Sequence, residues 1–192
     1  QSCKVLREWQ KKYNYAIPIA INVASQQFAD ASLVPDIKQM ALRYQIQPEL
    51  LEIEITETSL MNDIELAIAK LEQLKSAGFS IAVDDFGTGY SSLSYLRHLP
   101  ITTMKIDRCF VSDLPGDSAI ASTILMLGKQ LNLTIVAEGI ENEQQLDWLK
   151  ENQCQVGQGF YFSQPLPQAE FEAQYIATQT ATISSLDGLR GA

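Results

Sequence analysis

Residues 81–93 read IAVDDFGTGYSSL: an apolar run, two adjacent carboxylates and a glycine-punctuated loop. The apolar run predicts a buried strand that ends on Asp84 and Asp85. Like charges side by side repel, and a strand end buries at least one of them in part. Something must offset that cost. A cation, a hydrogen-bond network and full solvation are the candidates, and the rest of the chain bears on the choice.

Outward from this stretch the pattern repeats. Short runs rich in β-branched residues recur at 17–23, 50–56, 80–85, 101–107, 133–139 and 156–162. Between most of them lie amphipathic helical stretches at 30–45, 63–77, 117–131 and 143–152, with further helices at 3–12 and 167–177. In 63–77 the residues Ile64, Ala67, Ile68, Leu71 and Leu74 share one face, and Gly78 stands where a helix C-cap belongs. Strand and helix alternating over such short links predicts parallel strands with helical crossovers. No glycine-rich phosphate fingerprint follows the first strand, which weakens an open doubly wound sheet against a (β/α)8 TIM-barrel-like fold. Such a barrel has eight strands in about 250 residues. Six are counted here.

The 192 residues suffice for one domain with a sizeable core, and 46% hydrophobic content fits a globular protein. No apolar run approaches the roughly 20 residues that span a bilayer. No signal pattern opens the chain. A net charge of −9 argues against a surface that attracts a nucleic-acid polymer. An anionic ligand would need metal ions or a few placed cations. Cys3, Cys109 and Cys154 are far apart and lack CxxC spacing, so reduced thiols in the cytoplasm are expected rather than a zinc or disulfide framework. Residues 1–177 are expected to form the barrel domain, and the Thr/Ser/Gly-rich stretch 178–192 a flexible tail.

Polar residues collect at the C-terminal strand ends. Asn22 ends the first strand; Glu54 lies inside the second, with Glu57 just beyond; Asp84 and Asp85 end the third. Lys105 and Asp107 end the fourth, Glu138 and Glu141 lie at and after the fifth, and Gln158 sits in the sixth. In a parallel sheet all these ends open onto one face, where active sites are built. Carboxylate and amide oxygens with no convergent His or Cys suit Mg²⁺, Mn²⁺ or Ca²⁺ better than zinc or copper. Two hard cations about 3.5–4 Å apart serve displacement at phosphorus, with Lys105 adding positive charge near the attacked phosphate or the water. Each residue also has a plainer reading: a helix N-cap for a lone carboxylate, a snorkelling surface chain for Lys105, a surface position for His98, core for Trp9, Trp148 and Phe79, a tight turn for Gly87 and Gly89. The joint pattern favours the cation site.

The segments EITET, DDFGTGYSSL, MKIDRCFV, IVAEGIE and GQGFYFSQPL together resemble the motifs of the EAL domain, the bacterial cyclic-di-GMP phosphodiesterase family. The likeness runs from about residue 3 to 175, with the motifs in the family's order. It implies an EAL-type barrel that hydrolyses cyclic di-GMP to linear 5′-pGpG with Mg²⁺ or Mn²⁺, in a two-metal site. By motif, it implies Asn22, Glu54, Asp84, Asp85 and Glu138 as metal ligands, and Lys105 in contact with the catalytic water. Glu141 joins Lys105 in the catalytic set, and Gln158 and Asp107 take second-shell or substrate-side places. Glu57 is implied to anchor a dimer-linked regulatory loop containing Phe86, Gly87, Thr88 and Gly89. The implied partners are cyclic di-GMP, a second copy through the loop and helix after Asp85, and an upstream sensor or GGDEF-type domain. The name-giving Glu-Ala-Leu segment and its strand are absent, so N-terminal truncation is expected, with exposed sheet edges, association, rearrangement or marginal stability, and weak or no turnover by this chain alone. A non-catalytic cyclic-di-GMP effector or a dimerisation module is the alternative.

Overall fold

The computed structural model describes residues 1–89 and 93–177. Along the chain run α1 (Ser2–Tyr13), β1 (Ile19–Val23), α2 (Ser25–Ala29), α3 (Leu33–Tyr44), β2 (Leu51–Thr56), α4 (Glu57–Met61) and α5 (Ile64–Ser76). There follow β3 (Ser80–Phe86), α6 (Leu93–Leu96), β4 (Thr103–Ile106), α7 (Arg108–Ser112), α8 (Ala119–Leu131), β5 (Thr134–Ala137), α9 (Glu143–Glu151), β6 (Val156–Gly157) and α10 (Gln168–Phe171). The six strands form one parallel sheet in the order β1-β2-β3-β4-β5-β6. A doubly wound sheet reverses its strand order at a switch point; this one does not. Right-handed crossovers that always advance the same way lay the helices on one face, the winding of a TIM-type barrel. Among the described residues β1 and β6 are not paired to each other, so the sheet is open there.

Register sorts the side chains by face, because Cα partners in a parallel sheet point the same way. One face carries Ile21, Ile53, Ile81, Met104 and Ile135; all but the partly buried Ile21, which packs against them, join Leu71 and Leu74 of α5 and Ile124 of α8 in a single buried cluster. Burying a Leu or Ile side chain contributes about 1.5–3 kcal/mol, so this layer dominates the stability. The opposite face carries Asn22, Glu54, Asp84 and Lys105 towards the strand ends, with Glu52 and Thr103 below. There Thr103 Oγ1 donates to Glu52 Oε2 at 2.7 Å. The alternation LEIEIT is thus a two-faced strand, core on one side and polar on the other.

The six expected long helices are present with ends shifted by a few residues, the last as the short α10 followed by a π-helical turn, Glu172–Ile176. Helix α5 starts at the Asp63 cap, whose Oδ1 accepts the Leu66 N–H at 3.1 Å. It ends as expected at Gly78, where φ is 94°. Gly78 N–H reaches Lys75 O and Phe79 N–H reaches Leu74 O, the Schellman closure that requires a left-handed residue. Four short helices, α2, α4, α6 and α7, were not expected, since four or five residues are too few to display a period.

The sixth strand is the main correction: 156–162 was expected, and only Val156–Gly157 is strand. The next residues instead wrap the Ile140 backbone, with Ile140 N–H donating to Gln158 O and Tyr161 N–H donating to Ile140 O. Gly159 permits the wrap, because a Cβ there would lie against the Ile140 backbone N and O. Phe86, expected in the loop, is the last residue of β3 and is buried against the core. The tail 178–192 and residues 90–92 of the loop lie outside the described residues. No helix among the described residues is long and apolar enough to cross a membrane. A Gly159→Ala substitution should lower unfolding free energy by about 3 kcal/mol, an overpacking penalty against rigid backbone, read from urea denaturation. Unchanged stability would contradict the wrap.

Candidate active site

A regular strand sends successive side chains to opposite faces, so adjacent aspartates should diverge. They do not, because β3 carries a bulge. Val83 pairs with Met104 and Phe86 with Ile106, so three steps along β3 match two along β4. The surplus is taken up around Asp85, whose φ is +55°, a left-handed conformation that Asp tolerates better than most side chains. Asp84 Oδ1 accepts the Asp85 N–H at 3.0 Å. As a result Asp84, Asp85 and Glu138 each present a carboxylate oxygen within 4.8 Å of the others.

Lys105 stands at the centre of the acids. Its Nζ lies 2.7 Å from Glu138, 2.9 Å from Glu54 and 3.2 Å from Asp84. Its side chain is 6% exposed, so the snorkelling alternative does not hold. Burial alone would depress the ammonium pKa; the hydrogen bonds to Glu138 and Glu54 outweigh it and raise it, keeping the charge. Glu138 is pushed up by burial, against the pull of Lys105. Asp85 is pushed up by burial, by the Asp84 charge and by its hydrogen bond with Asp107. Burial would raise Asp107 too, but hydrogen bonding at Cys109 and from Asp85 holds it down. Asn22 stands beside Glu54 on the same face, as its register partner on β1, and is exposed.

The other expected residues divide. Glu57 is buried at 1% exposure, and its Oε2 accepts the Gly87 N–H at 2.9 Å in the turn after Asp85. Gly89 packs against the same carboxylate, leaving no space for a Cβ. Thr88 Oγ1 donates to Asp85 O at 2.8 Å, which ties the turn back to the bulge. Asp107 caps α7, accepting the Cys109 N–H at 2.8 Å, and it faces Asp85. Glu141 stands outside the cluster; it is exposed, and its N–H donates to Gln145 Oε1 at the start of α9. Gln158 is held through its backbone and lines a cavity of about 380 Å³ with Phe160, Phe171 and Tyr175. His98 is exposed and Trp9 and Phe79 are buried, as expected.

Sequence reading missed a chain of hydroxyls. Ser59 Oγ lies 2.6 Å from Ser25 Oγ and 2.7 Å from Thr56 Oγ1, joining the ends of β1 and β2. Serines and threonines near strand ends carry no period or charge pattern that would have marked them.

A parallel β/α sheet with an acid-lined mouth around a buried lysine defines the class, and comparison with known proteins defines the family. A family model of the EAL domain matches residues 1–165. The cyclic di-GMP phosphodiesterase NbdA of Pseudomonas aeruginosa is 41% identical over 175 residues, 90% of this chain and 22% of NbdA. A solved structure of PaMucR phosphodiesterase in complex with c-di-GMP superposes with a TM-score of 0.84 at 42% identity, covering 88% of this chain and 70% of that one. Klebsiella pneumoniae BlrP1 in its manganese and cy-diGMP complex superposes at 0.76 with 27% identity, over 87% of this chain and 43% of its own. The chain belongs to the EAL domain family. It spans about a fifth of the length of the curated relatives it matches first.

Replacing Lys105 by Met leaves three close carboxylates without their cation. The variant should lose about 3–5 kcal/mol at pH 8, the cost of breaking a buried ion pair. Without the ammonium the folded acids bind protons more tightly than the unfolded chain, so stability should recover as pH falls towards 5. Urea denaturation across pH checks both; a loss that stays constant with pH would contradict the electrostatic origin.

Proposed function

We propose that this chain is the catalytic domain of a metal-dependent phosphodiesterase that hydrolyses cyclic di-GMP to linear 5′-pGpG within a larger bacterial signalling protein. One observation carries the reading: the bulge brings Asp84 and Asp85 to one place, beside Glu138 and the Lys105 ammonium. Family membership and the c-di-GMP complex of PaMucR support the substrate.

The donor set fits hard divalent cations. It is carboxylate and amide oxygen, and the acids already converge on a positive charge at Lys105. Asn22, Glu54, Asp84, Asp85 and Glu138 would hold Mg²⁺ or Mn²⁺, two ions in this reading, and BlrP1 with manganese supports the choice of metal. When bound, such ions polarise phosphate oxygens and lower the pKa of water. The protein's own residues do the rest. Lys105, kept protonated, places a fixed positive charge where negative charge grows on the phosphoryl group. Glu54 and Glu138 hold that ammonium in position. Asp107, capping α7, steadies Asp85. Glu141 and Gln158 lie towards the substrate in this reading, outside the acid cluster.

The turn from Gly87 to Gly89, pinned by Glu57, is the element we assign to regulation, passing the state of a second copy to Asp85. A sensor or GGDEF-type domain elsewhere in the protein would supply the stimulus, in the cytoplasm.

In the intact protein supplied with Mn²⁺, Asp84→Ala and Lys105→Ala should each lower kcat for cyclic di-GMP at least about 100-fold, the scale of losing one preorganised charge. Chromatographic product analysis checks this; undiminished turnover in either variant overturns the roles, and wild-type binding without product points to an effector. Protons compete with cations for Asp85 and Glu138, whose pKa values are raised. Mn²⁺ affinity should therefore fall on acidification already above the ordinary carboxylate range, and a titration from pH 8 to 5 that shows no fall would contradict the assignment.

A further inference from the structure

We propose that Ser59 is a positioning residue that fixes the corner between β1 and α2 just beyond Asn22, and through Asn22 the affinity of the site for a divalent cation. This rests on the metal-dependent reading above. The β1–β2 ladder pairs Asn22 with Glu54 and ends one step later, at Val23 and Ile55. Beyond that step the chains part into α2 and α4, and no backbone pairing of the ladder fixes their separation. The hydroxyls do. Ser25 opens α2, Thr56 ends β2 and caps α4, and Ser59 bridges the two at 2.6 and 2.7 Å.

Ser59 is buried at 4% exposure, where a hydrogen bond is stronger than in water and an unmade one costs more. The far end of α2 is pinned as well. The Lys70 ammonium, itself buried, donates to Phe28 O at 2.5 Å and Asp30 O at 2.9 Å. Helix α2 is therefore held at both ends, and with it the corner that follows Asn22. Asn22 is exposed, so burial does nothing to hold it; the backbone on which it stands does. Glu54 needs less help, being buried against Lys105. Losing the Ser59 hydroxyl should thus be felt through Asn22. The capping bond from Ser59 N–H to Thr56 Oγ1 survives in Ser59→Ala, so helix α4 keeps its start.

The test is Mn²⁺ binding to the intact protein, followed by the loss of the free-ion EPR signal, for wild type, Ser59→Ala, Asn22→Ala and the double variant. Ser59→Ala should raise the Mn²⁺ dissociation constant about three- to tenfold, the loss carried by one hydrogen bond. In the Asn22→Ala background the same change should add nothing. Ser25→Ala removes the bridge from its less buried end and should reproduce the pattern if Ser59→Ala folds poorly. Unchanged affinity in folded Ser59→Ala and Ser25→Ala, or a lowered melting temperature alone, overturns the role. So does a loss of equal size with and without Asn22. A wild-type protein that takes up no Mn²⁺ overturns the metal reading itself, and this role with it.

Discussion

One surplus residue in β3 governs the site. Two neighbouring aspartates on a regular strand would face a core and a solvent side, and one of them would be buried among Ile and Val. The bulge between Val83 and Phe86 removes that conflict by turning Asp85 left-handed, at a cost on the order of 1–3 kcal/mol. The surroundings hold the residue there: Asp84 accepts its N–H, Thr88 donates to its carbonyl, and Glu57 ties down Gly87 just beyond. The meeting of Asp85 with Asp84 and Glu138 depends on this local departure from the strand.

The second constraint is electrostatic. Three carboxylates against one ammonium leave excess negative charge in a half-buried place. Apolar side chains of the same volume would serve stability as well or better, since desolvating ions costs about as much as pairing them returns. Such a cluster makes sense as a site adapted to take up more positive charge. Lys105 lets the acids stay folded together, while burial leaves Glu138, and with Asp84's charge Asp85, holding protons more readily than free carboxylates. On the proposed reading, a site poised in this way would exchange protons for cations.

Most of the architecture was legible in the sequence because its periods are long. LEIEIT alternates by two, 63–77 repeats by the helical turn, and six such pairs in a row leave little but a singly wound parallel sheet. The strand-end acids were legible for the same reason, since a parallel sheet gathers its C-terminal ends. What escaped was local. Residues 156–162 alternate like a strand, yet Gly157 and Gly159 let the chain close round Ile140, a tertiary contact no period records. The bulge was hidden because Asp-Asp reads the same whether the pair diverges or converges. Glu141 looked like its neighbour Glu138 in sequence, but Gln145 draws its backbone towards α9, away from Lys105. The Ser25–Ser59–Thr56 chain left no trace, being three common residues joined only in space.

The family gives this arrangement its context, and the geometry gives it a single point of failure. If Asp84 and Asp85 do not serve one cation, the raised acids, the buried lysine and the strained turn have no common purpose. Anomalous diffraction from crystals of the protein grown with Mn²⁺ tests this most directly. The account predicts a peak bonded to carboxylate oxygens of both Asp84 and Asp85, with Glu138 alongside. A structure in which Mn²⁺ sits elsewhere, or in which Asp85 points to the opposite face from Asp84, would contradict it.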